Sequence, residues 1–164
     1  MTDTPDMATQ PQEPASNIPQ GPSLGVINQY IKDLSFENPG IELKQQPNIE
    51  LGIDVGANPK DPSKDIYEVV LKMQARAGAE EQTLFLVELD YAGLFRVNGF
   101  SPEQLEQVLL IECPRLLFPF ARRIISDVSA EGGFPPLRLE PVDFAGLYQQ
   151  QKARAAAAAS HAPD

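Results

Sequence analysis

The sequence predicts an α+β fold, in which a four-stranded antiparallel sheet comes first and C-terminal helices pack on one of its faces. Apolar residues recur at every second position in the first half of the chain and at helical spacing in the second half. Turn residues, and no helical stretch, separate the alternating runs. This order is typical of antiparallel strands rather than of strands joined by crossover helices.

Alternating runs predict the four strands, at 26–37, 49–55, 65–76 and 82–91. Gly93 predicts a kink or bulge before the last of these continues. The predicted apolar face of the first strand consists of Val26, Tyr30, Leu34 and Phe36. Its predicted polar face carries Gln29, Ile31, Asp33, Ser35 and Glu37.

Capping signals predict where the helices begin and end. Ser101 followed by Pro102 and then Gln104 is a capping box with proline at the first helical position. Pro114 should interrupt the helix that follows, because proline lacks the N–H that an inner turn needs. An apolar stripe then continues to the glycine pair 132–133, and Asp143 should cap a final helix.

The ends of the chain differ in composition from its middle. Residues 1–23 are rich in proline and polar side chains, which predicts a disordered arm, and the folded domain should cover 24–155. The alanine-rich segment 156–164 lacks an apolar stripe and should form a flexible tail. No run approaches the roughly 20 apolar residues of a membrane span, and the start is acidic where a signal peptide is basic, so we expect a cytoplasmic protein without membrane insertion.

Composition restricts the chemistry that we expect. A formal charge of −10 does not favour nucleic acid as a partner. The single cysteine, Cys113, and the single histidine, His161, cannot build a Cys/His zinc site, and Cys113 suits a packed helix junction. The chain has no phosphate-binding, dinucleotide-binding or nucleophile motif, and no histidine in the predicted folded span. We therefore predict no catalytic residue, no metal site and no cofactor.

Two surfaces remain as candidates for binding. An acidic surface would combine Asp33 and Glu37 of the first strand with Leu86 and Glu88 of the fourth, although any half-buried sheet shows such alternation. The second surface would be apolar, although a plain hydrophobic core would explain the same residues. Its candidate residues are Ile49, Leu51 and Ile53, Phe134 in the proline-rich link 134–142, and Leu147 and Tyr148 in the last helix.

Four segments occur in an order that is specific to one family: KDLSFE at 32–37, DIYEVVLKM at 65–73, TLFLVE at 83–88, and CPRLLFPFARRIISDVSAEGGFPPLRLEPVDF at 113–144. On these segments the chain resembles the SecB family of protein-export chaperones over about three-quarters of its length, roughly 27–150. The resemblance implies a holdase, a protein that keeps precursors unfolded and transfers them to the SecA translocation ATPase.

The resemblance also implies roles for the two surfaces. Asp33, Glu37, Leu86 and Glu88 would form the docking face for SecA, and the six apolar candidates would line a groove for unfolded precursor proteins. Strand edges could add main-chain hydrogen bonds to the client, which demand little of its sequence. The assembly implied is a homotetramer, a dimer of dimers formed through sheet edges and long helices. The alternative is a SecB-like adaptor dedicated to one partner, such as a toxin–antitoxin pair.

The chain departs from the family pattern in three places. Family members commonly carry a tryptophan ahead of the Gln-Pro that precedes the second strand, whereas this chain has Gln45-Gln46-Pro47. The N-terminal arm is longer than in many members, and the alanine-rich end does not match the family's tail. We expect the first difference to shift the range of clients.

Overall fold

The computed structural model describes residues 21–42 and 44–160. The strands are β1 (Ser23–Glu37), β2 (Asn48–Asp61), β3 (Ile66–Ala79) and β4 (Gln82–Asn98), with a short 3-10 turn (Pro62–Lys64) between β2 and β3. The helices are α1 (Pro102–Gln107), α2 (Cys113–Glu131) and α3 (Phe144–Ser160), and a π-helical segment (Val108–Glu112) joins α1 to α2. The predicted α+β class, with an antiparallel sheet followed by helices, is confirmed.

The predicted ends of the chain lie mostly outside the described residues. Positions 1–20 of the predicted arm and 161–164 of the predicted tail are among those not described. Where the predicted arm meets the folded domain, β1 begins at Ser23, and α3 continues through Ser160 into the predicted tail. Residues 156–160, which we expected in a flexible tail, are therefore helical in the structure.

The sheet has the strand order β1-β4-β3-β2, and every neighbouring pair is antiparallel. Within the described part of the chain, β1 and β2 are thus the two edge strands. The apolar side chains of the central strands alternate and face the helices, where they form the core. On the helix side, the buried hydrophobic residues of these two strands are Val69, Leu71, Met73, Ala75, Ala77, Phe85, Val87, Leu89, Tyr91, Phe95 and Val97.

Strand β1 does not keep the single alternation that we predicted. Its register against β4 shifts twice, between Val26 and Asn28 and between Ile31 and Asp33. Each shift inserts one residue and turns the following side chains to the other face. Tyr30 therefore lies on the outer face, away from the helices, and Gln29 and Ile31 lie on the helix face, so the prediction for these three residues was wrong.

The helix boundaries follow the predicted signals. The capping box is confirmed, because Gln104 donates its N–H to the Ser101 hydroxyl at 3.3 Å and Ser101 N donates to the Gln104 side chain at 3.1 Å. Pro114 does not end the helix. The missing N–H is accommodated by the wider π-helical turn before it, a usual response to a lost hydrogen bond.

Candidate binding surfaces

The outer face of the sheet brings together the four residues of the predicted acidic surface. Glu37 lies opposite Leu86, and Ser35, two positions earlier in β1, lies opposite Glu88. Asp33 is the next residue of β1 on this face. The second register shift precedes Asp33, so the three β1 residues share one face with the even-numbered residues of β4.

Three further carboxylates, which the sequence did not predict, belong to the same surface. Asp90 lies opposite Asp33 on one side and Lys72 of β3 on the other, and Lys72 lies opposite Asp54 of β2. Glu50 forms an exposed ion pair with Arg76 at 3.6 Å. We define the acidic face as these residues: Asp33, Glu37, Glu50, Asp54, Leu86, Glu88 and Asp90. β2 and β4 are brought together only because each pairs with β3, so no local sequence pattern could have predicted this set of residues.

A shallow open cavity of about 460 Å³ lies on the acidic face. Asp33, Asp54 and Asp90 line it, and Gly52, which has no side chain, leaves room beside them. Lys72 also lines it and offsets part of the negative charge. Among the residues that the structure describes, no group of His, Cys, Asp and Glu side chains is placed to hold a metal ion.

A buried carboxylate anchors the edge strand β1 to the rest of the outer face. Glu68 of β3 accepts hydrogen bonds from the Tyr30 hydroxyl and, at 2.7 Å, from Lys32 Nζ. Lys60 lies 3.7 Å from the same carboxylate. The hydrogen bond from Lys32 lowers the pKa of Glu68 most, followed by the one from Tyr30. Burial and the same carboxylate raise the pKa of Tyr30 to about 12.

The apolar groove lies on the helix side of β2. Leu51 and Ile53 line a cavity of about 350 Å³ with Val142 and with Leu147 of α3. Ile49 and Leu51 are 42% and 40% exposed, which is high for large apolar side chains. Three β2 residues and one α3 residue of the predicted client surface are thus brought together.

A second apolar cavity continues the groove along β2. It has a volume of about 440 Å³, and Val55 and Ala57 form its floor while Leu105 and Leu109 form its wall. The sequence predicts a helix here but gives no indication of a cavity, because an apolar stripe that faces a strand and one that faces a gap are identical in sequence.

Phe134 and Tyr148 lie outside the walls of these two cavities. Phe134 is half-buried against Phe85, with ring centroids 4.8 Å apart, and against Phe36. Tyr148 is 3% exposed, and its hydroxyl has no hydrogen-bond partner among the described residues. Of the six predicted client residues, Tyr148 is therefore part of the interior of the single chain.

Cys113 has the structural role that we predicted. Its side chain is fully buried at the junction of the π-helical segment and α2. Burial, with a smaller contribution from Glu112, raises the pKa of the thiol to about 12. A thiol in this environment is not reactive at neutral pH, since the thiolate is the nucleophile. No helix among residues 21–42 and 44–160 is long and apolar enough to cross a membrane.

An antiparallel sheet with an open acidic face on one side and an apolar groove on the other defines a class of protein that binds other polypeptides. The chain belongs to the SecB family of export chaperones, because the sequence model of the family, described as preprotein translocase subunit SecB, matches residues 17–155. The protein-export protein SecB of Hyphomonas neptunium is 56% identical over 95% of this chain and 93% of its own. That of Maricaulis maris is 50% identical, over 93% and 91%.

A solved structure has the same fold. It is a SecB-like chaperone of Mycobacterium tuberculosis in complex with a peptide from the HigA1 antitoxin, and it is 15% identical to this chain. The TM-score is 0.63, and the match covers 73% of this chain and 90% of that one. At this identity the likeness shows the fold alone. The names of the relatives favour the export role over an adaptor dedicated to one partner.

Proposed function

We propose that this chain holds unfolded precursor proteins in the apolar groove and delivers them to SecA, which docks on the acidic face. The observation that carries the proposal is the separation of the two surfaces. The groove lies on the helix side of the sheet and the acidic face on the other, so SecA can dock without covering the client. We infer a cytoplasmic site of action, where precursors are still unfolded.

The groove suits a partner without a defined sequence. Each square ångström of apolar surface that a client buries there contributes roughly 25 cal/mol, whatever the side chain. Ile49, Leu51, Ile53 and Leu147 would contact the client directly. Phe134 would extend the apolar surface beyond Ile49, since Phe85 beneath it lies opposite Ala77, whose other neighbour is Ile49. Tyr148 is buried, so it would not contact the client directly.

The acidic face suits a partner surface rich in lysine and arginine. Asp33, Glu37 and Glu88 would steer the encounter with SecA, and Leu86 would supply an apolar contact among them. Exposed charges are screened over about 8–10 Å at physiological ionic strength, so added salt should weaken this complex. In the transfer, docked SecA would compete with this chain for the same client, so that two binding equilibria are coupled. We infer no catalytic residue, nucleotide or covalent intermediate in this chain.

We propose that the working form is a homotetramer, a dimer of dimers. Exposed apolar side chains on the helix face of β1 and on α2 support these subunit contacts, since large contiguous apolar patches commonly mark interfaces. Several copies of the groove would also let one long client bind at several weak sites, which raises the overall affinity by effective concentration.

The test of holding is size-exclusion chromatography with light scattering, on the protein alone and after a chemically denatured precursor is diluted into it. We expect a tetramer that co-elutes with the unfolded precursor and not with its folded form. A monomer or dimer that leaves the unfolded chain unbound would contradict the proposal.

The test of the acidic face is the charge reversal Glu88→Lys. We expect the affinity for SecA to fall at least tenfold at low salt, which corresponds to about 1.4 kcal/mol, while client binding stays close to normal. Glu81→Lys makes the same charge change in the exposed hairpin between β3 and β4 and is the matched control. Equal affinity for SecA in the two variants would remove Glu88 from the docking face.

A further inference from the structure

The free edge of β2 determines which main-chain groups a bound client can reach. β2 pairs with β3 along one side, and no strand within residues 21–42 and 44–160 lies along its other side. In an antiparallel pair, alternate residues direct both the N–H and the C=O towards the neighbouring strand, and the residues between them direct both groups away. The open side of β2 therefore offers the groups of every second residue.

One hydrogen bond identifies which residues these are. Val97 of β4 donates its N–H to the Asp65 carbonyl at 2.9 Å, so odd-numbered residues at this end of β3 pair with β4. The even-numbered residues of β3 then pair with β2. Since the register sets Ile53 opposite Met73, the odd-numbered residues of β2 direct their main-chain groups to the open side. Pro59, which has no N–H, is one of them, as expected for proline in an edge strand.

The row of free N–H donors along the open edge is interrupted in its second half. Val55 donates its N–H to the side chain of Asp54 at 3.0 Å, so this amide is not available to a partner. Gln151 of α3 donates to the same oxygen of Asp54 at 3.3 Å and thus holds the carboxylate in place. Beyond Val55, the single amide of Ala57 lies between this capped position and Pro59. A continuous row of free donors and acceptors is found only at Ile49, Leu51 and Ile53.

The side chains of Leu51 and Ile53 line the first groove cavity, and that of Ile49 extends its apolar surface. The two cavities are centred on β2 near residues 52 and 56, about 13 Å apart at the usual rise of a strand. A client that pairs with the first half of the edge would place alternate side chains in the first cavity. Its chain would then leave the edge at Asp54, with the second cavity still within reach of a side chain.

We propose that Asp54, held by Gln151, sets the register of the client: an extended segment of unfolded polypeptide adds to β2 as a strand along Ile49–Ile53 and stops pairing at Asp54. Past that point the client is held through side chains alone, so the second cavity takes a large apolar side chain about four residues further along. The occupant is thus an extended segment with apolar side chains at alternate positions. The inference rests on the proposed client groove and specifies how that groove is used.

The test is amide hydrogen exchange by NMR on the complete protein, with and without reduced and carboxymethylated α-lactalbumin, which cannot refold. Bound client should slow exchange at Ile49, Leu51 and Ile53 by about tenfold or more, and should leave Ala57 unchanged. Glu50 and Gly52, whose amides face β3, should be protected with and without the client.

Two substitutions of Asp54 distinguish the effect of its hydrogen bond to Val55 from the effect of its charge. Asp54→Ala releases the Val55 amide, and client-dependent protection should extend to Val55 and Ala57. Asp54→Asn removes the charge but retains a side-chain oxygen that can accept from Val55, so the wild-type pattern should persist. The proposed register would be contradicted if the client binds without protecting Ile49–Ile53, or if it protects Ala57 in the wild type. Either result would still be consistent with a client groove. If no complex forms at all, the client groove itself is refuted.

Discussion

Glu68 is a single residue whose protonation should affect the stability of the whole sheet. It is buried on the outer face and joins β3 to Tyr30 and Lys32 of the edge strand. Because its pKa is lower in the folded chain than the ordinary value of 4.5 for a glutamate, folding is more favourable when the carboxylate is ionised. This contribution is present above the unfolded pKa, and it is lost as pH falls below that value through the lower folded pKa.

We therefore expect Glu68→Gln to lower the free energy of unfolding by about 1–3 kcal/mol at pH 7, the usual value of hydrogen bonds to a charged group. The difference from the wild type should shrink as pH falls from about 4.5 through the lower pKa of the folded chain, because the wild-type carboxylate then becomes protonated as well. Urea unfolding at a fixed protein concentration and at several pH values measures both quantities. Glu81→Gln in the exposed hairpin is the control, and a deficit that does not vary with pH would contradict this account.

Substitutions at Tyr148 can distinguish a structural role of this side chain from a direct contact between its hydroxyl and the client. Its hydroxyl is buried without a partner among the described residues, so Tyr148→Phe removes a polar group that nothing satisfies. We expect this variant to be as stable as the wild type or more stable by up to about 1 kcal/mol. Tyr148→Ala should lower the free energy of unfolding by about 3–5 kcal/mol, because it leaves a cavity of aromatic size.

The same two variants test the client groove. Tyr148→Phe should bind carboxymethylated α-lactalbumin as the wild type does, since only the buried hydroxyl is removed and the ring is retained. Tyr148→Ala should weaken client capture together with stability. A Phe variant that folds normally and loses the client would show that the hydroxyl meets the client directly, contrary to its position in the interior.

At the scale of elements, the contact between β4 and α2 depends on a glycine. A Cβ at Gly93 would lie 2.6 Å from the Phe95 ring and 2.9 Å from a methyl group of Leu117, so α2 approaches the sheet closely at a position without a side chain. The bulge predicted at Gly93 does not form, because β1 and β3 keep their register with β4 across it, so that prediction was wrong. The glycine instead allows α2 to pack closely.

Gly93→Ala should lower the free energy of unfolding by about 1–3 kcal/mol, because a well-packed core does not absorb an extra methyl group without strain. Thermal or urea unfolding measures the effect. Gly25→Ala in β1 is the matched control, since a Cβ there would meet no atom within 4 Å. If both variants lose the same stability, the cause is the intrinsic effect of glycine in a strand rather than the contact with α2.

At the scale of the whole molecule, assembly should depend on the helix face of β1. The register shifts place Ile31 on this face, and it is 47% exposed in the single chain. Phe120 of α2, on the same side of the sheet, is 52% exposed and stacks on Tyr91, the residue opposite Ile31. Surface of this kind is costly in water, so we propose that another subunit covers it.

Ile31→Glu should dissociate the proposed tetramer into smaller species, because a carboxylate would have to be buried in the interface. Light scattering coupled to size-exclusion chromatography measures the mass. Ser35→Lys, in the same strand but on the outer face, should leave the mass unchanged. Retention of the full assembly by Ile31→Glu would place the subunit contact elsewhere.

The sequence by itself determined the family, the α+β class, the order of the elements and most of their boundaries. These properties depend on signals that lie close together in the chain: alternation in the strands, the capping box at Ser101, and the glycines after α2. Asp33, Glu37, Leu86 and Glu88 were also predictable as one surface, because the resemblance supplied the pairing that local pattern could not.

Only the tertiary structure decided how the faces are composed. Two inserted residues in β1 exchange Tyr30 and Ile31 between faces, which alternation cannot reveal because one extra residue reverses every later position. Pairing across the sheet added Glu50, Asp54 and Asp90 to the acidic face, and the packing of α3 placed Tyr148 in the interior. The carboxylate that caps Val55 also accepts a hydrogen bond from Gln151 across a gap of almost a hundred residues, a contact that exists only once the chain has folded.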